Sequence, residues 1–210
     1  MYLQHAGLLD NKETINNDSL RYFWKLYLKL TGWKAIDDFP HHVKKGIILV
    51  APHTSWIDFL LGLAFRNVLK IKHAKYLGKQ ELFNGPFGFF FRWTGGTPVD
   101  RFSKSGVVDQ VVEKFNASEK LFIALSPEGT RKKVDKLRTG FYHMAKKANV
   151  PIIMVGLDYS KKELSVSPPF YITENEQADF KNIVEFFASK RGKYPDKDLA
   201  HLLKDENDKD

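Results

Sequence analysis

At 210 residues, with 43% hydrophobic and 28% charged side chains, the chain has the composition of one ordinary globular domain and falls outside the disordered class. It contains no cysteine, which excludes disulfides, thiolate catalysis and cysteine-ligated zinc or iron–sulfur centres, and suits a reducing compartment. The formal charge of +8 is uneven: residues 196–210 hold six acids and three bases, leaving +11 on residues 1–195, a balance that suits phosphate esters, acidic headgroups or nucleic acid.

Residues 1–17 are polar and irregular and read as a loose leader without the features of a secretory signal. Asp18 or Ser19 is a suitable cap for a helix running to Thr31 and stopped by Gly32. Arg21, Lys25 and Lys29 form one narrow basic stripe on it, while Leu20, Tyr22, Phe23, Trp24, Leu26, Tyr27, Leu28, Leu30 and then Trp33 are large and apolar. Such a helix is buried or sits in a lipid interface, and Trp and Tyr beside Lys and Arg settle at headgroup level. Residues 18–33 are therefore expected to be an amphipathic membrane-interface helix; the competing expectation is a helix packed wholly on its own domain. No uncharged apolar run reaches the roughly 18–20 residues that span a bilayer, so the chain is expected to lie on a membrane without crossing it.

From Lys45 the pattern alternates. Gly46–Ala51 reads as a buried strand, Trp56–Leu69 as a helix, Ala74–Leu77 as a strand and Glu81–Trp93 as a short broken helix. Thr97–Val99 reads as a strand, Ser105–Asn116 as a helix, Leu121–Leu125 as a strand, Thr139–Ala148 as a helix and Ile152–Leu157 as a strand. Leu164–Val166 and Phe170–Ile172 are shorter strands, Asn182–Ser189 is a helix, and residues 196–210 are a charged tail expected to fray. The alternation predicts an α/β domain over residues 34–195, with a largely parallel central sheet flanked by helices.

Three loops carry residues suited to chemistry. In Ala51-Pro52-His53-Thr54-Ser55-Trp56-Ile57-Asp58, His53 follows a buried strand, the place where open α/β sheets bind ligands. If the chain doubles back, Asp58 fixes one imidazole nitrogen and leaves the other as a base; the plainer reading is a loop histidine and an acid that suits a helix N-terminus. In Gly95-Gly96-Thr97-Pro98-Val99-Asp100-Arg101, a short strand delivers Arg101, which is able to hold a phosphate by two parallel bonds; the alternative is a surface Asp–Arg pair. In Ser126-Pro127-Glu128-Gly129-Thr130-Arg131, Gly129, Thr130 and Arg131 suit an anion cradle. Glu128 repels an anion, so it is expected to orient Arg131 or a substrate hydroxyl; the alternative is a polar loop.

Taken together and in order, HTSWID, GGTPVDR and SPEGTR, followed by Val150-Pro151-Ile152-Ile153, resemble the four sequence blocks of the glycerolipid acyltransferase family over Gly46–Leu157. The resemblance implies that His53 is the base and Asp58 orients it. It also implies that Arg101 and Arg131 hold the acceptor's phosphate, with Lys79 in Gly78-Lys79-Gln80 as a further phosphate contact. Glu128, Gly129 and Thr130 complete the substrate-binding block. The implied reaction moves a fatty acyl group from acyl-CoA or acyl-carrier protein to a lyso-lipid, foremost 1-acylglycerol-3-phosphate, at the cytoplasmic side of a membrane, with no cofactor and no metal. Phe87, Phe89, Phe90 and Phe91 are then open to a role along the acyl chain. Two blocks depart from the family pattern: Ser126 stands where Phe often precedes the proline, and Met154 and Val155 replace a second proline. Another lyso-lipid acceptor, such as an acylated amino-acid lipid, therefore stays open.

Two other classes compete. A thioesterase or lipase needs a serine nucleophile, but there is no Gly-x-Ser-x-Gly elbow, and Ser55 is the only serine close to His53 in the chain. A nucleic-acid-binding module would explain the charge, yet the bases are scattered and no binding signature appears, so nucleic acid is not an expected partner. His41-His42 lacks further ligands at a metal-binding spacing.

Overall fold

The computed structural model describes residues 18–100, 102 and 106–203. Within them the elements follow as α1 (Asp18–Thr31), β1 (Lys34–Ala35), β2 (Lys45–Ala51), α2 (Ile57–Val68), β3 (Ala74–Lys79), α3 (Gln80–Asn84) and α4 (Gly88–Trp93). Then come β4 (Gly96–Val99), α5 (Gly106–Asn116), β5 (Leu121–Leu125), α6 (Gly140–Ala148), β6 (Ile152–Asp158), β7 (Glu163–Val166) and α7 (Glu176–Ala188). The strands form one seven-stranded sheet in the order β1-β7-β6-β2-β5-β3-β4. Only the β6–β7 pairing is antiparallel; the other pairings are parallel. The fold is thus a single α/β domain with a largely parallel sheet.

The central strands are aliphatic throughout because both of their faces are covered. On one face α1 and α2 bury Ile48, Phe122, Ile153 and Val155. On the other, α5, α6 and α7 bury Ile47, Leu49, Ile123 and Ile152. Helix α2 meets the sheet through Leu61, Ala64 and Phe65, the i, i+3, i+4 row that defines an amphipathic helix. Helix α1 buries Leu28 and packs Trp24 and Tyr27 against the same cluster. On its other side Tyr22, Phe23, Leu26 and Leu30 are each more than half exposed.

Three segments differ from the sequence reading by more than a residue or two at one end. The expected strand at Phe170–Ile172 is a single bridge to Ile152, since Pro168 and Pro169 offer no N–H to a longer ladder. Helix α7 begins at Glu176, before the expected Asn182, because Asn175 accepts the Ala178 N–H at 3.0 Å and caps it. The segment after Pro195 is docked as far as Leu203, in two 3₁₀ turns (Pro195–Lys197 and Ala200–Leu203) that surround the fully buried Leu199. Its charge hid the apolar pair Leu199 and Leu202, which joins the core beside α7. Residues 1–17 and 204–210, the loose leader and the end of the charged tail, lie outside the described residues.

The broken helix over Glu81–Trp93 divides into α3 and α4, and buried Phe83 fills the space beneath them. A Cβ built on Gly96 would lie 2.7 Å from the Phe91 carbonyl oxygen and 2.8 Å from the Phe83 ring. Gly96→Ala is expected to lower stability by about 1–3 kcal/mol through overpacking, read as a lower urea midpoint with an unchanged m-value; a variant as stable as the parent would contradict this account of the bend.

Candidate active site

The sheet register brings the functional loops to one edge. Leu49 pairs with Leu125 and Ala51 with Gly156, so the segments leaving β2, β5 and β6 emerge side by side at the C-terminal edge. His53 follows β2, Ser126–Arg131 follows β5 and Tyr159 follows β6.

His53 and Asp58 meet there: Nδ1 lies 3.2 Å from Oδ2. The loop doubles back because the same Oδ2 accepts the backbone N–H groups of Thr54 and Ser55, each at 2.8 Å. The second carboxylate oxygen, Oδ1, accepts the hydroxyl of Tyr159. The Asp58 side chain is 1% exposed and the imidazole 28%, so the acid is sealed while the ring opens on the cleft. With Nδ1–H donating to Asp58, Nε2 keeps its lone pair. Ser55 is buried, and its hydroxyl accepts the Ile57 N–H at 3.2 Å.

Glu128 does not orient Arg131. It is buried, and both of its oxygens lie 3.0 Å from the backbone N–H of His53. The Ser126 hydroxyl donates to Oε2 at 2.7 Å. Burial pushes this carboxyl above the usual carboxylate range, opposed by those two hydrogen bonds. Glu128 is therefore a strut between the loop after β5 and the loop that carries His53. Ser126, where the family pattern often has Phe, supplies a donor to that strut.

Gly129, Thr130 and Arg131 line the same cleft as His53 and Asp58. Gly129 adopts φ +66°, a left-handed turn that favours glycine, and its N–H donates to the Ser126 carbonyl at 3.2 Å. The Arg138 side chain packs over Gly129. Lys79 is exposed at the end of β3 and is not among the cleft-lining residues. Arg101 lies outside the described residues.

The cleft has a volume of about 620 Å³. From His53 and Arg131 it continues along apolar side chains of α2 and the sheet, among them Ile48, Phe59, Leu63 and Phe65. Phe87, Phe89, Phe90 and Phe91 take no part in that lining; the first three point outward from the α4 region, exposed by 67%, 73% and 40%. Among the described residues no group of three or more His, Asp or Glu side chains is placed to hold a metal ion.

Sequence reasoning missed Tyr159 and Ser126. Tyr159 had one usable signal, its position one residue past a buried strand that neighbours β2. The role of Ser126 had none, because nothing local says that Glu128 turns inward.

The sequence model of the Acyltransferase family matches residues 29–158. Among solved structures, the crystal structure of the 1-acyl-sn-glycerophosphate (LPA) acyltransferase PlsC from Thermotoga maritima is similar to this chain with a TM-score of 0.54 and 17% identity, covering 80% of this chain and 75% of that one. No curated protein gives a significant match to the chain.

The raised carboxyl of Glu128 makes a signed prediction. A folded-state value above the unfolded one stabilises at pH below the unfolded value, and the stabilisation is lost as pH rises through the folded one. Glu128→Gln abolishes that titration, so its stability relative to the parent is expected to climb with pH from the ordinary carboxylate range upward. Glu128→Ala, which orphans the His53 N–H, is expected to be less stable by about 1–3 kcal/mol. Urea titrations over a pH series read both; a pH-independent difference between the Glu128→Gln variant and the parent would remove the buried-carboxylate account.

Proposed function

The chain belongs to the Acyltransferase family, and from that premise we propose that it transfers a fatty acyl group from an acyl thioester, on coenzyme A or an acyl carrier protein, to the hydroxyl of a lyso-lipid. The foremost acceptor is a 1-acylglycerol-3-phosphate. The observation that carries this reading is the His53–Asp58 pair within a largely apolar cleft that also contains Arg131.

A free hydroxyl is a poor nucleophile near neutral pH. In the proposed step the acceptor oxygen attacks the thioester carbon while His53 Nε2 takes its proton, and Asp58 stabilises the imidazolium. The tetrahedral oxyanion collapses, the C–S bond breaks, and the leaving thiolate takes the proton from Nε2. No covalent acyl-enzyme and no cofactor enters this sequence. The Gly129 N–H is engaged within its turn, so the amides of Thr130 and Arg131 are the proposed donors to the oxyanion. Arg131 anchors the acceptor phosphate with Arg101, and Lys79 at the edge of β3 adds a third cation; fixing the phosphate positions the hydroxyl. The acyl chain lies along the apolar length of the cleft.

The proposed place of work is the cytoplasmic face of a membrane, bound peripherally or monotopically. Two outward surfaces support it. Helix α1 exposes Tyr22, Phe23, Leu26 and Leu30, and the α4 region exposes Phe87, Phe89, Phe90 and Trp93. Both reach the last turn of α2: Arg21 donates to the Val68 carbonyl at 3.5 Å, and Arg66 lies against Gly95 just past α4. Aromatic side chains beside Lys25, Lys29 and Arg92 match the composition of a lipid interface. No helix among the described residues is long and apolar enough to cross a membrane.

A mass-spectrometric acceptor screen with labelled acyl thioester tests the reaction. His53→Ala is expected to lose transfer by roughly 10²–10⁴-fold with its fold retained, and Arg131→Ala to raise KM for phosphorylated acceptors more than for unphosphorylated ones. Label reaching only water would replace the transferase with a hydrolase, and label reaching only an acylated amino-acid lipid would replace the acceptor. For the membrane, Phe87→Ser with Phe89→Ser is expected to weaken flotation with anionic vesicles; binding equal to the parent would remove α4 from the docking surface.

A further inference from the structure

Resting on the acyl-transfer reading, we propose that Tyr159 is a positioning residue of the dyad: its hydroxyl is the standing donor to Asp58 Oδ1, and this bond holds the carboxylate in the orientation that keeps Oδ2 on His53 Nδ1. The three groups on Oδ2 come from its own loop, the N–H groups of Thr54 and Ser55 and the imidazole. The bond to Oδ1 comes from a residue 101 positions away, just past β6. A carboxylate rotating about its last bond exchanges its two oxygens, so donors to one oxygen alone leave the other free to compete for the imidazole. A donor fixed on Oδ1 removes that exchange. With Asp58 almost fully sealed, water is a poor substitute.

Tyr159 is itself held. The Trp33 ring stands against its ring at 4.9 Å in an edge-on arrangement, and its backbone N–H donates to the Arg191 carbonyl at 2.8 Å. Burial and the Asp58 carboxylate push its hydroxyl above the usual tyrosine range, so it keeps its proton through neutral pH. The other titratable and charged groups around the pair include Glu128 at the His53 N–H, Arg66, Lys75 and Arg131 in the cleft lining, and Tyr27 and Tyr194 near Tyr159. Tyr159→Phe leaves all of them in place and keeps the ring against Trp33.

The test reads the His53 Nδ1–H proton by NMR in the intact chain, parent against Tyr159→Phe. That proton is expected to exchange with solvent several-fold faster in the variant, because a carboxylate free to rotate lets Oδ2 leave the imidazole. In acyl transfer, kcat is expected to fall several-fold, the deficit persisting at pH values where His53 is neutral, with the acceptor KM unchanged. A residue that merely packs would lower stability without moving either readout. An unchanged exchange rate overturns the proposal. If Tyr159→Phe fails to fold, the parent still decides: a slowly exchanging Tyr159 hydroxyl proton that shifts as His53 titrates supports the link, and one that exchanges freely or ignores that titration overturns it. The NMR arm needs no substrate, so absence of acyl transfer in the parent would defeat the proposed reaction and leave the Tyr159 assignment to stand or fall on its own.

Discussion

The buried carboxylate of Asp58 is the joint on which the site turns. It receives backbone donors from the loop after β2, the imidazole of His53 and the hydroxyl of a tyrosine beyond β6. An ionised acid out of contact with water is costly unless its lone pairs are filled. Here the partners that fill them also set the turn, the ring orientation and the distance between two strands' loops. The requirement to satisfy one charge therefore builds the geometry that a general base needs.

A second buried acid works on the other side of the same histidine. Glu128 holds the His53 backbone while Asp58 holds its side chain. The two acids thus separate two tasks, fixing where the loop lies and fixing where the ring points. Ser126 and the left-handed turn at Gly129 complete the first task, and Tyr159, braced by Trp33, completes the second. Trp33 directly follows the α1 region, so the segment that supports Tyr159 is continuous with the helix that exposes the apolar row.

The division of aromatic residues follows the same economy of position. Those facing the sheet, such as Phe65 and Phe122, close the core. Those on the outer rows of α1 and in the α4 region stay exposed. The cleft lies between α2 and the sheet, with Phe59, Leu63 and Phe65 among its apolar lining and His53 and Arg131 among its polar lining.

Much of the fold was readable in the sequence by itself. The short aliphatic runs at Gly46–Ala51, Leu121–Leu125 and Ile152–Leu157 read as buried strands, and the spacing of Val108, Val111, Val112 and Phe115 read as one face of a helix. The ordered blocks around His53, Gly95 and Glu128 resembled one family, and that resemblance implied the pairing of His53 with Asp58, which lie only five positions apart. What local pattern could not give was any partner set by register. Parallel pairing brings residues more than a hundred positions apart to one level, and so the tertiary structure alone decided that Tyr159 would reach Asp58, that Glu128 would turn inward to His53 rather than toward Arg131, and that Leu199 would be buried within a segment whose charge suggested solvent. Each of these is a buried contact between distant segments, fixed only when the sheet assembles.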